Sequence, residues 1–423
     1  MSQVLEIDSA LLSRAPGDVP AMDGSAPGIP RGGRGSHAGL LRELGPELFR
    51  SLERRDQQTK AMQYVHALLT TPGRKSVRNI ARAVGGAAAA QSLHHFVSRS
   101  PWDWGPVRAA SARQLVEGVS PRAWVVHQTV IPKAGRNTVG VQRAFDPGSG
   151  RTVNGQRTLD LWAASATASA PVDWHLRLPD SWLGDAGSRR AAEIPDHVEP
   201  VDVAGAVLAM RARLVEEWRL PALPLVLDSR ELDSASLLPL LAARGIGFVA
   251  RISRDLPLRL DGVARTGPPR RARDLLAEQA RRRQVIAGAP AGAGGKPVMA
   301  VTLPVRAAVP AGPGGGPAGT VTRAGGGPGR VAAGVPGAGT PLMLLGLGEL
   351  GGPWPGEAWL TNLPDARPTT LHAYTRLIDQ VERDFAAASR TVGLCDFTGR
   401  TYGGWHRHIT LASTASAIIR LSR

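Results

Sequence analysis

The chain has 423 residues and one cysteine, Cys395. A single thiol excludes an internal disulfide and any cysteine-rich zinc site. Lysine is almost missing: Lys60, Lys75, Lys133 and Lys296 are the only four. No run approaches the ~18 consecutive apolar residues that a membrane helix requires, so no membrane span is expected. The first residues carry Glu6 and Asp8 where a secretory signal would have a basic stretch and then a long apolar one. A cytoplasmic location is the expectation.

What is abundant is equally informative. Gly (50) and Pro (34) make about a fifth of the chain, against a usual ~12%. That excess belongs to tails and linkers rather than to a core. Apolar residues at 43% suffice for a core in what remains. Lys and Arg number 51 against 35 Asp and Glu, a net charge of +16. Codon bias can exchange Lys for Arg but does not create the surplus. A polyanion partner follows, DNA or RNA first; the alternative is a basic surface with no partner.

Residues 1–38 have Gly, Pro and Ser throughout and no apolar period, so they form a tail. Helical spacing runs through 39–119. It includes Ser76–Val84, a break at Gly85-Gly86, and Ala87–Val97, which together fit either a helix-turn-helix DNA reader or plain helical packing. The period then changes to two, with strands at Ala123–Thr129, Thr138–Phe145, Thr158–Thr167 and Asp173–Leu178. Helix Val203–Trp218, strand Leu223–Asp228, helix Ser234–Ala243 and strand Gly247–Ile252 follow. Hairpin strands and then alternating helices and strands predict an α/β (α+β) mixed sheet over 120–261 with helices on its faces. Residues 262–340 predict a low-complexity insertion, with room for one basic helix near its start. Order returns over 341–423 with strands at Pro341–Gly346 and Glu357–Thr361, a long helix at about Thr370–Val392 and a last one at about Trp405–Leu421.

Several short motifs now stand in order: Leu93-His-His-Phe-Val-Ser-Arg-Ser-Pro-Trp102, Trp124-Val-Val-His-Gln-Thr129, Pro132-Lys-Ala-Gly135, Val139-Gly140 and Leu178-Pro-Asp-Ser-Trp-Leu183. Asp228 closes a later strand, and Val381-Glu-Arg-Asp-Phe385, Gly393-Leu394 and Gly404-Trp-His-Arg-His-Ile-Thr410 close the chain. The series resembles bacterial insertion-sequence transposases of the DDE superfamily, with a ribonuclease-H-like core. The resemblance spans about residues 40 to 420. It implies DNA transposition, double-stranded DNA as partner, a homodimer among the allowed states, and Mg²⁺ or Mn²⁺ held by three carboxylates.

Carried over residue by residue, the resemblance makes Asp228 the second acid and Glu382 the third, both as metal ligands. The first acid is lost: its place holds His127 and Gln128, and no Asp or Glu occurs between Glu117 and Asp146. Two positions that usually carry an arginine and a lysine around the third acid are Ile378 and Ser389. A neutral imidazole suits zinc or copper better than magnesium, so His127 is a poor replacement. Away from the family pattern, Asp228 also fits a helix cap, and Glu382 beside Arg383 fits a solvated helix face. Lys133, Arg136, Arg383, His406 and Arg407 are the candidate phosphate contacts. The pairs His94-His95 and His406, His408 lack a carboxylate spacing that would make them metal sites. Tryptophans 102, 124, 174, 182, 359 and 405 are expected as core anchors. Three functional expectations remain: a transposase active or decayed, a domesticated DNA-binding regulator, or a cleft reused for other chemistry through His127, Asp228 and Glu382.

Overall fold

The computed structural model describes residues 36–146, 150–261, 268–287, 296–307 and 341–422. The tail expected over 1–38 lies outside these residues except for 36–38. Five helices come first: α1 (His37–Leu48), α2 (Arg55–Thr70), α3 (Val77–Ala83), α4 (Ala87–Ser98) and α5 (Gly105–Val119). Strands β1 (Ala123–Pro132), β2 (Val141–Asp146), β3 (Arg151–Ala164) and β4 (Ser169–Arg177) follow. Short helices α6 (Asp180–Leu183) and α7 (Ala186–Ala191) lead to α8 (Val203–Ala212), β5 (Leu225–Asp228), α9 (Ser234–Ala243) and β6 (Phe248–Ile252).

The central strands lie in the order β4-β3-β1-β5-β6. β1, β5 and β6 are mutually parallel, while β3 runs antiparallel to both β1 and β4. This is the ribonuclease-H-like arrangement that the sequence predicted. The parallel strands are apolar on both sides because both faces are covered. One face buries Val125, Trp162, Val226 and Val249. The other buries Trp124, Leu225, Leu227 and Phe248 beneath α8 and α9.

Beyond β6 the sheet continues through β7 (Pro257–Leu260), β8 (Arg270–Arg271), α10 (Ala272–Glu278), β9 (Gln284–Ala287), β10 (Val298–Ala307), β11 (Leu342–Glu349) and β12 (Glu357–Thr361). Their spatial order is β6-β12-β11-β10-β7-β8, and β9 also pairs with β10. The expectation of a low-complexity insertion over 262–340 therefore needs correction for 268–287 and 296–307. Glycine-rich runs flank β10 and Pro304 interrupts it, and both features argue against a strand. Pairing on both sides of β10 overrides them: Ala300 and Val305 are buried between β11 and its neighbours. The expected basic helix is shorter, Ala272–Glu278.

Two helices end the chain, α11 (Pro368–Thr391) and α12 (Tyr402–Leu421). α11 has one apolar stripe, including Leu371, Val381 and Ala388, and lays it across β1 and β5. α12 is buried along nearly its whole length, wrapped by α1, α2, α4, α5 and β4. A helix covered on every side must satisfy its polar groups internally. Arg108 of α5 does much of this: it donates to Asp173 Oδ1 at 2.8 Å, Thr410 Oγ1 at 2.8 Å and His406 Nδ1 at 3.1 Å. Arg213 donates to the other Asp173 oxygen at 2.9 Å. Of the six tryptophans expected as anchors, all but Trp182 are buried; Trp182 is half-buried and donates to Val141 O at 3.0 Å. No helix among the described residues is long and apolar enough to cross a membrane.

Candidate active-site cleft

Parallel pairing places the ends of β1 and β5 side by side. Val126 is in register with Leu227, so His127 and Asp228 are the next residues on neighbouring strands. α11 crosses the same face and brings Glu382 over them. His127, Gln128, Asp228 and Glu382 line one cleft of about 180 Å³ with Arg230 and Glu231. Four of the expected site residues thus come together.

A residue that the sequence reading missed completes the arrangement. Asp160 of β3 is directly opposite His127 and wholly buried. Its Oδ2 accepts from His127 Nδ1 at 2.8 Å and from Trp162 Nε1 at 2.6 Å, and Oδ1 accepts from Thr158 at 3.4 Å. The other imidazole nitrogen, Nε2, lies 3.5 Å from Glu382 Oε1. Phe385 and Trp162 wall the ring at centroid distances of 4.7 and 6.1 Å. Burial alone would lower the His127 pKa, but the carboxylates of Asp160 and Glu382 outweigh it and raise it to about 10. In turn the hydrogen bond with His127 holds the Glu382 carboxyl below its ordinary range, against burial and the nearby Asp228 charge.

The pair Asp160–His127 has the order of an acid–base dyad. A ring that keeps both protons to about pH 10 cannot accept one near neutrality, so it is no general base there. His127 lies between two carboxylates that favour its protonated form, at the position that the resemblance assigns to the first acid.

Asp228 is also occupied. The Arg230 guanidinium grips both its oxygens, at 2.9 Å to Oδ1 and at 3.0 and 2.6 Å to Oδ2. Arg251, itself paired with Glu357 at 2.6 Å, stands 3.9 Å from Asp228. Two divalent cations need free oxygen ligands around a shared position. Here Asp160, Asp228 and Glu382 each already face a protein side chain that can carry positive charge, and among the described residues no three His, Cys, Asp or Glu side chains gather as a metal would require. The residues do not fit the family's metal pair.

The candidate phosphate contacts divide. Arg136 and Arg383 are exposed, and Arg383 donates to Gln380 Oε1 at 3.1 Å. The other three need correction: the N-terminal helices cover His406 and Arg407 at the start of α12, and the segment before α12 engages Lys133. His406 is buried, stacked on Trp104 at 4.6 Å. Burial, then the Arg108 charge, pushes its pKa well below the ordinary value. Arg407 is half-buried and donates to Trp102 O at 3.2 Å and Val97 O at 3.4 Å. Lys133 donates to Phe397 O at 2.7 Å and Cys395 O at 3.0 Å, and burial pulls its ammonium down to about 8. Lys133→Met should therefore lower stability by about 1–3 kcal/mol in urea denaturation and leave DNA affinity unchanged. A loss of affinity at unchanged stability would return Lys133 to the DNA contacts.

A mixed sheet with Asp228 at the end of parallel strand β5, Asp160 on antiparallel β3 and Glu382 on a helix above them is consistent with a ribonuclease-H-like core. The family model described as DDE superfamily endonuclease matches residues 47–298, and the chain belongs to that family. The matched stretch includes His127, Asp160 and Asp228, while Glu382 lies beyond it. No curated protein matches the chain.

Proposed function

We propose that this DDE-superfamily protein binds double-stranded DNA without a divalent metal and has lost strand transfer. One observation carries the reading: the His127 imidazole, held between the carboxylates of Asp160 and Glu382, stands where the resemblance puts the first metal-binding acid. In the family, nucleases generally use divalent metals, which draw the phosphodiester toward the carboxylates and stabilise the charge of the displacement. Here His127, Arg230 and Arg251 neutralise Asp228 and Glu382 from within. A duplex can then approach the cleft without meeting bare carboxylates, and the net charge of +16 supplies the long-range attraction.

The reading predicts duplex affinity in the micromolar range or tighter at low salt, falling linearly with salt on logarithmic axes. Fluorescence anisotropy in EDTA and in Mg²⁺ should give the same affinity, and Mn²⁺ should elicit no strand cleavage. Binding that EDTA abolishes, or cleavage lost on Asp228→Ala, would overturn it.

A further inference from the structure

We propose that the groove between α11 and the outer strands β11 and β12 is a binding site for a free basic α-amino acid, arginine or lysine. It is a second site, beside the His127 cleft, and goes beyond the DNA reading above.

The groove follows from the way α11 crosses the sheet. The helix packs on β5 and β6 and again on β9 and β10, and lies less close to β12 and β11 between them. A cavity of about 380 Å³ remains there, within the roughly 300–1,000 Å³ of small-molecule sites. Ile378 borders both this cavity and the His127 cleft. Strand register puts Trp359 beside Arg251 and Glu357 beside Leu347, all on the face that α11 covers. The polar groups of this floor are already satisfied. Arg251 donates to Glu357 Oε1 at 2.6 Å, and Trp359 Nε1 donates to the other oxygen at 2.9 Å. Leu347, Val298 and Ile378 supply apolar surface.

The free charges stand at the rim. Glu349 on β11 and Arg376 and Asp379 on α11 are exposed, and none of the three side chains makes an ion pair or hydrogen bond among the described residues. Burial, then the Arg376 charge, lowers the His372 pKa, so that ring adds no charge near neutrality. Two free carboxylates thus stand against one free guanidinium. With the floor pair included, the cavity holds three acids and two arginines, in a chain of 51 basic and 35 acidic residues. This local inversion favours a ligand with a surplus positive charge and disfavours a phosphate backbone.

Spacing narrows the class. Arg376 and Asp379 are three residues apart on one helix, which sets their Cβ atoms about 5–6 Å from each other. They match the adjoining carboxylate and ammonium of an α-amino acid. Glu349, on the sheet side, matches a cation at the far end of the ligand's side chain, with the methylenes over Leu347 and Val298. A metal ion does not suit the cavity, because among the described residues no three His, Cys, Asp or Glu side chains gather around one point.

Isothermal titration of the full chain at fixed ionic strength tests the site. L-Arginine and L-lysine should bind with dissociation constants of about 1 mM or tighter. Agmatine lacks the carboxylate and L-norvaline lacks the distal cation, so each should bind about tenfold more weakly than arginine. Arg376→Gln should erase the advantage of arginine over agmatine. Glu349→Gln should erase its advantage over norvaline, and Asp379→Asn should weaken all three ligands. Glu53→Gln removes an exposed acid outside the cavity and should change nothing. Thermal unfolding checks that each variant is folded. No binding of either amino acid up to about 10 mM overturns the site. Agmatine as tight as arginine overturns the amino-acid class, and arginine binding that the three cavity variants leave unaltered overturns the location. A basic peptide that binds where both free amino acids do not overturns the proposal in favour of a protein partner. Duplex affinity is measured separately, so the DNA reading stands or falls on its own.

Discussion

Asp160→Ala is expected to destabilise the fold by about 3–5 kcal/mol, measured by urea denaturation near neutral pH. The change strands a buried imidazolium and leaves the Trp162 indole N–H without its acceptor. Asp160→Asn keeps an acceptor but removes the charge, so its effect should be smaller and should show mainly in the pH dependence. The sign follows from linkage. The folded His127 has its pKa raised from 6.5 to about 10, so its contribution is complete below pH 6.5 and is lost as pH rises through about 10. Lys133 acts in the opposite sense, because its folded pKa is lowered from 10.5 to about 8 and stability rises with pH across that interval. The diagnostic quantity is therefore the difference between wild type and Asp160→Asn across this window. The wild-type advantage should shrink as the solution becomes alkaline. A difference that stays flat from pH 6.5 to 10 would show that His127 is not the cation that the geometry implies.

The parts of the fold that were legible in the sequence share one property: a local period with both neighbours of the same kind. β1, β5, β6 and α11 carry clean apolar patterns, and their pairing places His127, Asp228 and Glu382 in one cleft. β10 was illegible because its partners come from distant segments, while its immediate flanks are Gly- and Pro-rich. The burial of His406 was illegible for a related reason, since its cover is supplied by α5 and Trp104, some three hundred residues earlier. Asp160 did leave a signal. It stands in Thr158-Leu-Asp-Leu-Trp162, an acid within an apolar strand, and a buried carboxylate must find a cation or several donors. Its distance from β1 in sequence hides the pairing, because hairpin register brings it to His127 across the sheet. That positions 127 and 128 hold no acid is legible in the sequence; the network of charged partners around His127 is not.

That network leads to the second large effect. His127→Asp should convert the cleft from metal-indifferent to metal-dependent. The new carboxylate would face Asp160 across β1 and β3 with Glu382 opposite, so three acids would meet where two acids and one cation now do. Carboxylates at such short range cannot all ionise without a counter-charge. In EDTA the variant should lose several kcal/mol of stability, as expected when a buried pair is broken. Mn²⁺ should restore part of it, about 2.7 kcal/mol at a hundredfold excess over Kd, because metal bound only to the folded state stabilises that state. Wild type should show no such shift, since its carboxylates already hold His127 and Arg230. Adding Arg230→Gln frees Asp228 and should tighten Mn²⁺ binding by at least about tenfold over the single variant, as a further oxygen ligand becomes available. Gln128→Asp, next along the strand, should act in the same direction through its charge. Thermal unfolding with and without Mn²⁺ separates the cases. A wild type that gains stability from Mn²⁺, and loses the gain on Asp228→Ala, would mean that the family's metal site survives beneath the ion pairs. A His127→Asp variant indifferent to Mn²⁺ would mean that the imidazolium was never what kept the metals out.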